Sequence, residues 1–471
     1  MDPLLLLLLG VSVIVICILW LKLHPVLALL FAAILVSVFT PETNLLQFAQ
    51  SKGMSATETT TFLDQSVGKK IASTFGNTAS KIGILIAMAS IIGTCLLRSG
   101  AADRIIRSAL KFFGEKSAPA AFLSSGFTLG IPVFFDTVFY LLVPLSKALS
   151  LRSGKNYLFY LTATVAGAAM AHSLVPPTPG PLFVAGELGV DLGVMILAGL
   201  VVGLFTISGG YLYASWANKR WTIPLRDSGD VSLSELNALM NKKDSDLPSI
   251  WLSLIPIVLP LVLISGNTIT RALVEPTDTF LLNAFYFLGD SNIALTMSAA
   301  VSLGILVWTE SDREKLKKYI LDSLQSAGVI ILITCMGGAL GGSLQQTGIG
   351  VYLQELATEY QIAILPLAFF ITSFMRGAQG SATVAMITSV GIIGGMVHAG
   401  TLGFHPVYLA LVIGCGSKPL LWMNDSGFWV VCKMSGMTEK ETLKTFSAVL
   451  TIMGIIGLFV ILILAKLFPM V

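Results

Sequence analysis

His172-Ser173-Leu174-Val175-Pro176-Pro177-Thr178-Pro179-Gly180-Pro181 interrupts an apolar run that extends from 157 to 186. Four prolines in six positions cannot continue a helix, since each removes an amide donor and crowds the turn before it. A second break, Gly414-Cys415-Gly416-Ser417-Lys418-Pro419 and on to Asn424-Asp425-Ser426-Gly427, lies within another apolar run, 405–430. One proline kink serves packing. Two breaks, the second holding a lysine and an aspartate, fit a binding site better. If these runs cross a membrane, the freed carbonyls and amides need protein, an ion, a substrate or water around them.

Composition puts them in a membrane. The chain has 471 residues, of which 55% are hydrophobic and only 12% charged, and its mean hydropathy is +0.84. A soluble domain carries roughly 25% charged residues, so a soluble globular enzyme and a disordered chain are both excluded. The net charge of +3 has no basic run or aromatic-basic ladder behind it, and no nucleic-acid partner is expected. Five cysteines, Cys17, Cys95, Cys335, Cys415 and Cys432, form no C-x-x-C pair and read as buried reduced thiols.

A spanning helix needs about 20 mostly apolar residues. Ten segments qualify: 4–22, 25–41, 71–97, 157–186, 191–215, 250–270, 291–308, 321–344, 405–430 and 446–468. The first lacks a positive n-region and a cleavage site and is read as a retained helix. Two further stretches, 117–149 and 361–400, are apolar but broken by Gly, Ser and Pro, and read as re-entrant hairpins. Basic residues mark the cytoplasmic side. With both termini outside, Lys22, then Arg98, Arg104, Arg107, Lys111 and Lys116, then Lys219, Arg220 and Arg226, then Arg313, Lys315, Lys317 and Lys318, and last Lys433, Lys440 and Lys444 all fall inside. The 42–68 loop, with Glu42, Glu58 and Asp64 against Lys52, falls outside.

An offset of 247 residues carries Gly130 to Gly377, Gly167 to Gly414 and Gly180 to Gly427. Each unit reads as an apolar helix, an amphipathic stretch, a broken hairpin and a span with a polar break. The first unit enters from outside and the second from inside. The fold class is thus an all-α polytopic membrane protein with inverted repeats, a plan common among secondary transporters.

The hairpins hold Gly130-Ile131-Pro132-Val133-Phe134-Phe135-Asp136-Thr137 and Arg376-Gly377-Ala378-Gln379-Gly380-Ser381-Ala382-Thr383. The same offset sends Asp136 to Thr383 and Thr178 to Asp425, so each half offers a carboxylate and a hydroxyl. An ionisable group at the bilayer centre costs at least about 2.5–3.5 kcal/mol, which makes Asp136, Arg376, Lys418 and Asp425 candidates by default. Arg376 or Lys418 would face an anionic substrate. Ser381, Thr383, Thr178, Asn424 and Ser426 would take its hydroxyls. Asp136 or Asp425 would carry a coupled proton, with His172 as a relay or as a helix cap. His398 and His405 lie near the outer surface and carry no expected role. No His/Cys/Asp cluster has metal spacing, and neither a metal nor a cofactor is expected. An intramembrane protease would need a partnered Gly-x-Ser-x-Gly or a His-Glu-x-x-His, and neither is present. A passive channel seldom needs two matched broken helices with buried opposite charges.

Pro176 to Pro181, Gly380-Ser381-Ala382-Thr383-Val384-Ala385, Asn424-Asp425-Ser426-Gly427-Phe428-Trp429 and Glu441-Thr442-Leu443-Lys444-Thr445 together resemble the gluconate:proton symporter family, the gluconate permeases, within the wider ion-transporter superfamily. The likeness covers essentially the whole chain. It implies uptake of gluconate or a related sugar acid with protons across a bacterial inner membrane. It also implies a homodimer of scaffold and transport domains that moves as an elevator. The family commonly has histidine where this chain has Thr178, which leaves open another ligand or another coupling. An amino-acid substrate such as D-serine, or sodium coupling, is the alternative. On this plan 1–70 are N-terminal scaffold helices, 71–215 the first repeat, 216–249 a cytoplasmic linker with a short surface helix over 233–240, 250–320 further scaffold helices, and 321–471 the second repeat with its C-terminal helix.

Overall fold

The structure, a computed structural model, describes residues 2–51, 53–226, 247–274, 279–348, 364–397, 402–423 and 425–470. The linker helix expected over 233–240, His398 and Asn424 lie outside them. All regular structure among the described residues is helical.

The chain begins with α1 (Pro3–Leu19) and α2 (Pro25–Phe39), each with proline in the first turn, where its missing amide costs nothing. Two short helices follow, α3 (Glu42–Ser51) and α4 (Ala56–Leu63), the latter started by a Ser55/Glu58 capping box. Next come α5 (Val67–Arg98), the amphipathic α6 (Ala101–Phe113), α7 (Ala118–Gly130), α8 (Phe135–Ser153), α9 (Tyr157–Leu174), α10 (Pro179–Glu187) and α11 (Leu192–Arg220). The second half runs α12 (Ile250–Leu273), α13 (Phe280–Leu288), α14 (Ser291–Thr309), α15 (Arg313–Gln346), α16 (Ile364–Gln379), α17 (Ala382–Val397), α18 (Pro406–Gly416), α19 (Ser426–Ser435) and α20 (Glu439–Thr442). A π-turn at Leu443–Ser447 then leads into α21 (Ala448–Leu467).

Among the described residues seven helices are long and apolar enough to cross a membrane, including α9 and α10 taken together as Tyr157–Glu187. The other three expected crossings are shorter or bent. One is α1, another is α2, which meets α3 at 98°, and the third is α18, which stops at Gly416. The chain is a multi-pass membrane protein. In the last case the cause is the second polar break, which divides the 405–430 run into α18 and α19.

Close backbone approach sets the packing. A Cβ on Gly167 of α9 would lie 2.2 Å from the Leu123 carbonyl oxygen of α7, so only glycine lets these helices touch. Gly126 faces Thr164 and Ala168, while Gly130 faces Ala168 and Ala171, so α7 and α9 run side by side in the same direction. The intervening α8 therefore returns the chain toward the end where α7 began. In the second half Gly416 abuts Phe369 and Thr372 of α16, and Gly377 abuts Leu420, again in parallel. The long α5 and α15 pair in opposite directions, Gly338 on Thr78 and Gly342 on Thr74. The two breaks meet where the Ser417 hydroxyl lies 3.4 Å from that of Ser173.

Candidate functional site

Four helix ends converge beside that crossing, and each carries the charge its dipole favours. Acids stabilise helix N-termini and bases C-termini. Asp136 sits in the first turn of α8. Asp425 is the N-cap of α19, its Oδ1 accepting from the Phe428 amide at 2.9 Å. Arg376 lies in the last turn of α16, and Lys418 just beyond the end of α18. Ser381 precedes α17 and accepts from the Val384 amide at 3.4 Å, and Thr383 follows in the first turn.

The four charges are not equivalent. Arg376 and Asp425 form a buried ion pair, and Arg376 Nη1 also donates to the Gly380 carbonyl at 2.8 Å. Arg376 Nε is buried without a hydrogen-bond partner. Lys418 is 3% exposed, and neither its ammonium nor the Asp136 carboxyl has a hydrogen bond or ion pair among the described residues. Gly427 stands between the acids. A Cβ there would lie 2.9 Å from Asp425 Oδ1 and 3.2 Å from Asp136 Oδ1. His172, in the last turn of α9, presents its ring edge-on to Phe134 at 6.0 Å, and its Nδ1 is buried without a partner.

These groups line a cavity of about 250 Å³, just below the roughly 300–1,000 Å³ of most ligand pockets. Its size suits a small solute. Of the residues expected at a site, Asp136, His172, Arg376, Ser381, Thr383, Lys418, Asp425 and Ser426 lie in its wall. Thr178 does not. It is buried before α10, where its hydroxyl donates to the Val175 carbonyl at 2.9 Å, and its neighbour Pro179 reaches the cavity instead. The peptide bond Pro176–Pro177 is cis.

Sequence reading missed part of the wall. Phe135 stacks on Phe446 at 5.7 Å with the rings within 7° of parallel, and Phe446 is delivered by the π-turn. Such turns frequently occur at functional sites. Thr334 and Ile330 of α15 close another side. The Thr334 hydroxyl donates to the Ile330 carbonyl at 2.6 Å, as threonines in any apolar helix do, so nothing in the sequence distinguishes it. An anion that entered would meet an unpaired ammonium and several hydroxyls beside an unpaired carboxyl. Among the described residues no group of three or more His, Cys, Asp or Glu side chains could hold a metal ion.

The fold resembles the crystal structure of the YdaH transporter of Alcanivorax borkumensis, with a TM-score of 0.61 over 95% of this chain and 99% of that one at 13% identity. A permease of Haemophilus influenzae is 34% identical across 98% of this chain and 92% of its own length. The gluconate permease of Pseudomonas aeruginosa is 32% identical across 85% and 88%. The low-affinity gluconate transporter of Escherichia coli K12 is 30% identical across 82% and 86%. The GntP family permease profile matches residues 2–468. A membrane-embedded chain with a small-solute cavity where broken helices meet, matched almost from end to end by that profile, belongs to the GntP permease family.

Proposed function

We propose that this protein imports gluconate or a closely related sugar acid together with protons across a bacterial inner membrane. The observation that carries the reading is Lys418, buried in the cavity wall with no partner among the described residues. An isolated buried ammonium is costly, and a carboxylate bound against it removes the cost. Arg376, already paired with Asp425, orders the wall. Ser381, Thr383 and Ser426 meet the hydroxyls of the solute. Asp136, the carboxyl without a partner, takes and releases the proton. Gluconate relatives at 30–32% identity support this choice of solute. On the same reading the two halves are inverted repeats with re-entrant α7–α8 and α16–α17 hairpins, both termini face the periplasm and the working unit is a homodimer.

The test is uptake of labelled gluconate into proteoliposomes, with and without an inward proton gradient. Saturable, gradient-driven uptake is expected. Lys418→Met should weaken binding by about 10- to 150-fold, as loss of a charged hydrogen bond of roughly 1.5–3 kcal/mol requires. Uptake indifferent to the gradient overturns the coupling. Competition by D-serine but not by unlabelled gluconate overturns the solute.

A further inference from the structure

A second cavity, of about 470 Å³, lies at the N-terminal end of α5, bounded by α4 and the last turn of α15. Two of its wall residues are polar side chains that are rarely buried without a reason. Lys70 is 7% exposed and Gln346 is 6% exposed. Lys70 Nζ makes one long hydrogen bond, 3.4 Å to the Leu63 carbonyl, and lies 4.8 Å from the centroid of the Phe62 ring. An ammonium has three donors to place. The Gln346 amide has no hydrogen-bond partner among the described residues, although it has two donors and an acceptor oxygen. Leaving such groups unsatisfied is unfavourable unless something in the cavity meets them.

The rest of the wall indicates what that something is. Thr57, Thr61, Ser73 and Thr74 bring hydroxyls, and Gln65 and Asn77 bring amides. The Thr61 hydroxyl donates to the Thr57 carbonyl and the Thr74 hydroxyl to the Lys70 carbonyl, which leaves their oxygens as acceptors. Phe48 and Phe62, with ring centroids 5.8 Å apart, add apolar surface to the wall. The acid in the wall, Glu58, is engaged in its capping box. The Ser55 amide and hydroxyl each donate to its Oε2 at 2.8 Å, and these bonds, the amide first, hold its carboxyl below the usual range. The charge of Glu42 acts on the Lys70 ammonium.

The position has meaning as well. Thr334 lines the central cavity and Gln346 the second one. Both stand on α15, and twelve residues of helix at 1.5 Å each set them roughly 18 Å apart. One helix wall therefore serves both chambers. We infer that the second cavity is an antechamber that binds a small polyhydroxylated carboxylate through Lys70 and Gln346 before the solute reaches Lys418. The choice of ligand rests on the sugar-acid reading above.

The test is equilibrium binding of labelled gluconate to the purified full-length chain and to Lys70→Gln, Gln346→Met and Lys418→Met, with monodispersity and thermal melting as folding controls. Two sites per chain are expected. Lys70→Gln and Gln346→Met should each weaken one site at least tenfold and spare the other, and Lys418→Met should do the converse. Gln346→Met keeps the bulk of the side chain, so a folding failure of Lys70→Gln does not shelter the idea. A single site lost in Lys418→Met and unchanged in the other two overturns the antechamber and leaves the transport reading standing. A single site lost in Lys70→Gln and kept in Lys418→Met does the reverse. Absence of saturable binding overturns both.

Discussion

Asp136 and Asp425 approach the same point, the hydrogen of Gly427, from two different helix N-termini. Gly427→Ala would press a methyl against both carboxylates, so uptake should fall by about tenfold or more, equivalent to some 1.4 kcal/mol, while the purified protein stays monodisperse. Arg376→Gln removes one partner of a buried ion pair, a change that costs about 3–5 kcal/mol because the other charge is left uncompensated. The double variant Arg376→Gln/Asp425→Asn should recover most of that loss, since asparagine still caps a helix. Thermal melting in detergent checks the pair, and a double variant no more stable than Arg376→Gln alone would refute the assignment. Asp136→Asn should retain exchange of gluconate across the membrane but lose accumulation driven by a proton gradient. The charged members of this site were legible in the sequence, because an ion within an apolar run needs a reason to be there. Which cation is paired and which is free was not legible. That depends on whether α19 brings Asp425 to Arg376 or to Lys418, and both lie beside it in the wall.

Elements show the same division. The two polar breaks, after Leu174 and after Gly416, hold Pro176 and Pro177 in the first and Pro419 in the second, each without the amide donor a continuing helix needs. The parallel contact of α7 with α9 is a tertiary matter that uses Gly167 as its seat. Gly167→Ala should cost about 1–3 kcal/mol or more through overpacking against a backbone that cannot yield. Gly76→Ala, on α5 with nothing within 4 Å of a new Cβ, should instead stabilise by about 0.5–1 kcal/mol. Equal melting temperatures for the two variants would contradict this packing. Thr178 shows how local reading fails. Its hydroxyl was expected at a solute, but the turn that starts α10 places Val175 O within its reach first.

At the scale of the whole molecule, residues of the first half hold the turn that follows α19. Arg226 makes a bidentate pair with Glu441, at 2.6 and 2.9 Å, and donates to the Gly436 carbonyl at 2.9 Å. The Tyr157 hydroxyl donates to the Ser435 carbonyl at 2.8 Å, and Tyr213 reaches the Lys444 carbonyl. The segment that carries Phe446 to the cavity is thereby tied to both α9 and α11. The proposed orientation has its own test. All five cysteines are buried, so a membrane-impermeant thiol reagent should label the natural chain weakly. Thr60→Cys should react in intact cells, and Lys315→Cys only after permeabilisation. The opposite pattern would invert the topology.

Composition, the lengths of the apolar runs and the two polar interruptions determined that this is a helical membrane protein with broken helices. Those properties follow from transfer free energy and backbone hydrogen bonding, which act residue by residue. Tertiary structure decided the rest: the pairing of Arg376 with Asp425, the free ammonium of Lys418, the aromatic wall from Phe135 and Phe446, and a second chamber beside Lys70. Each depends on which residues far apart in the chain come within a few ångströms of one another. Periodicity along one chain holds no record of that distance.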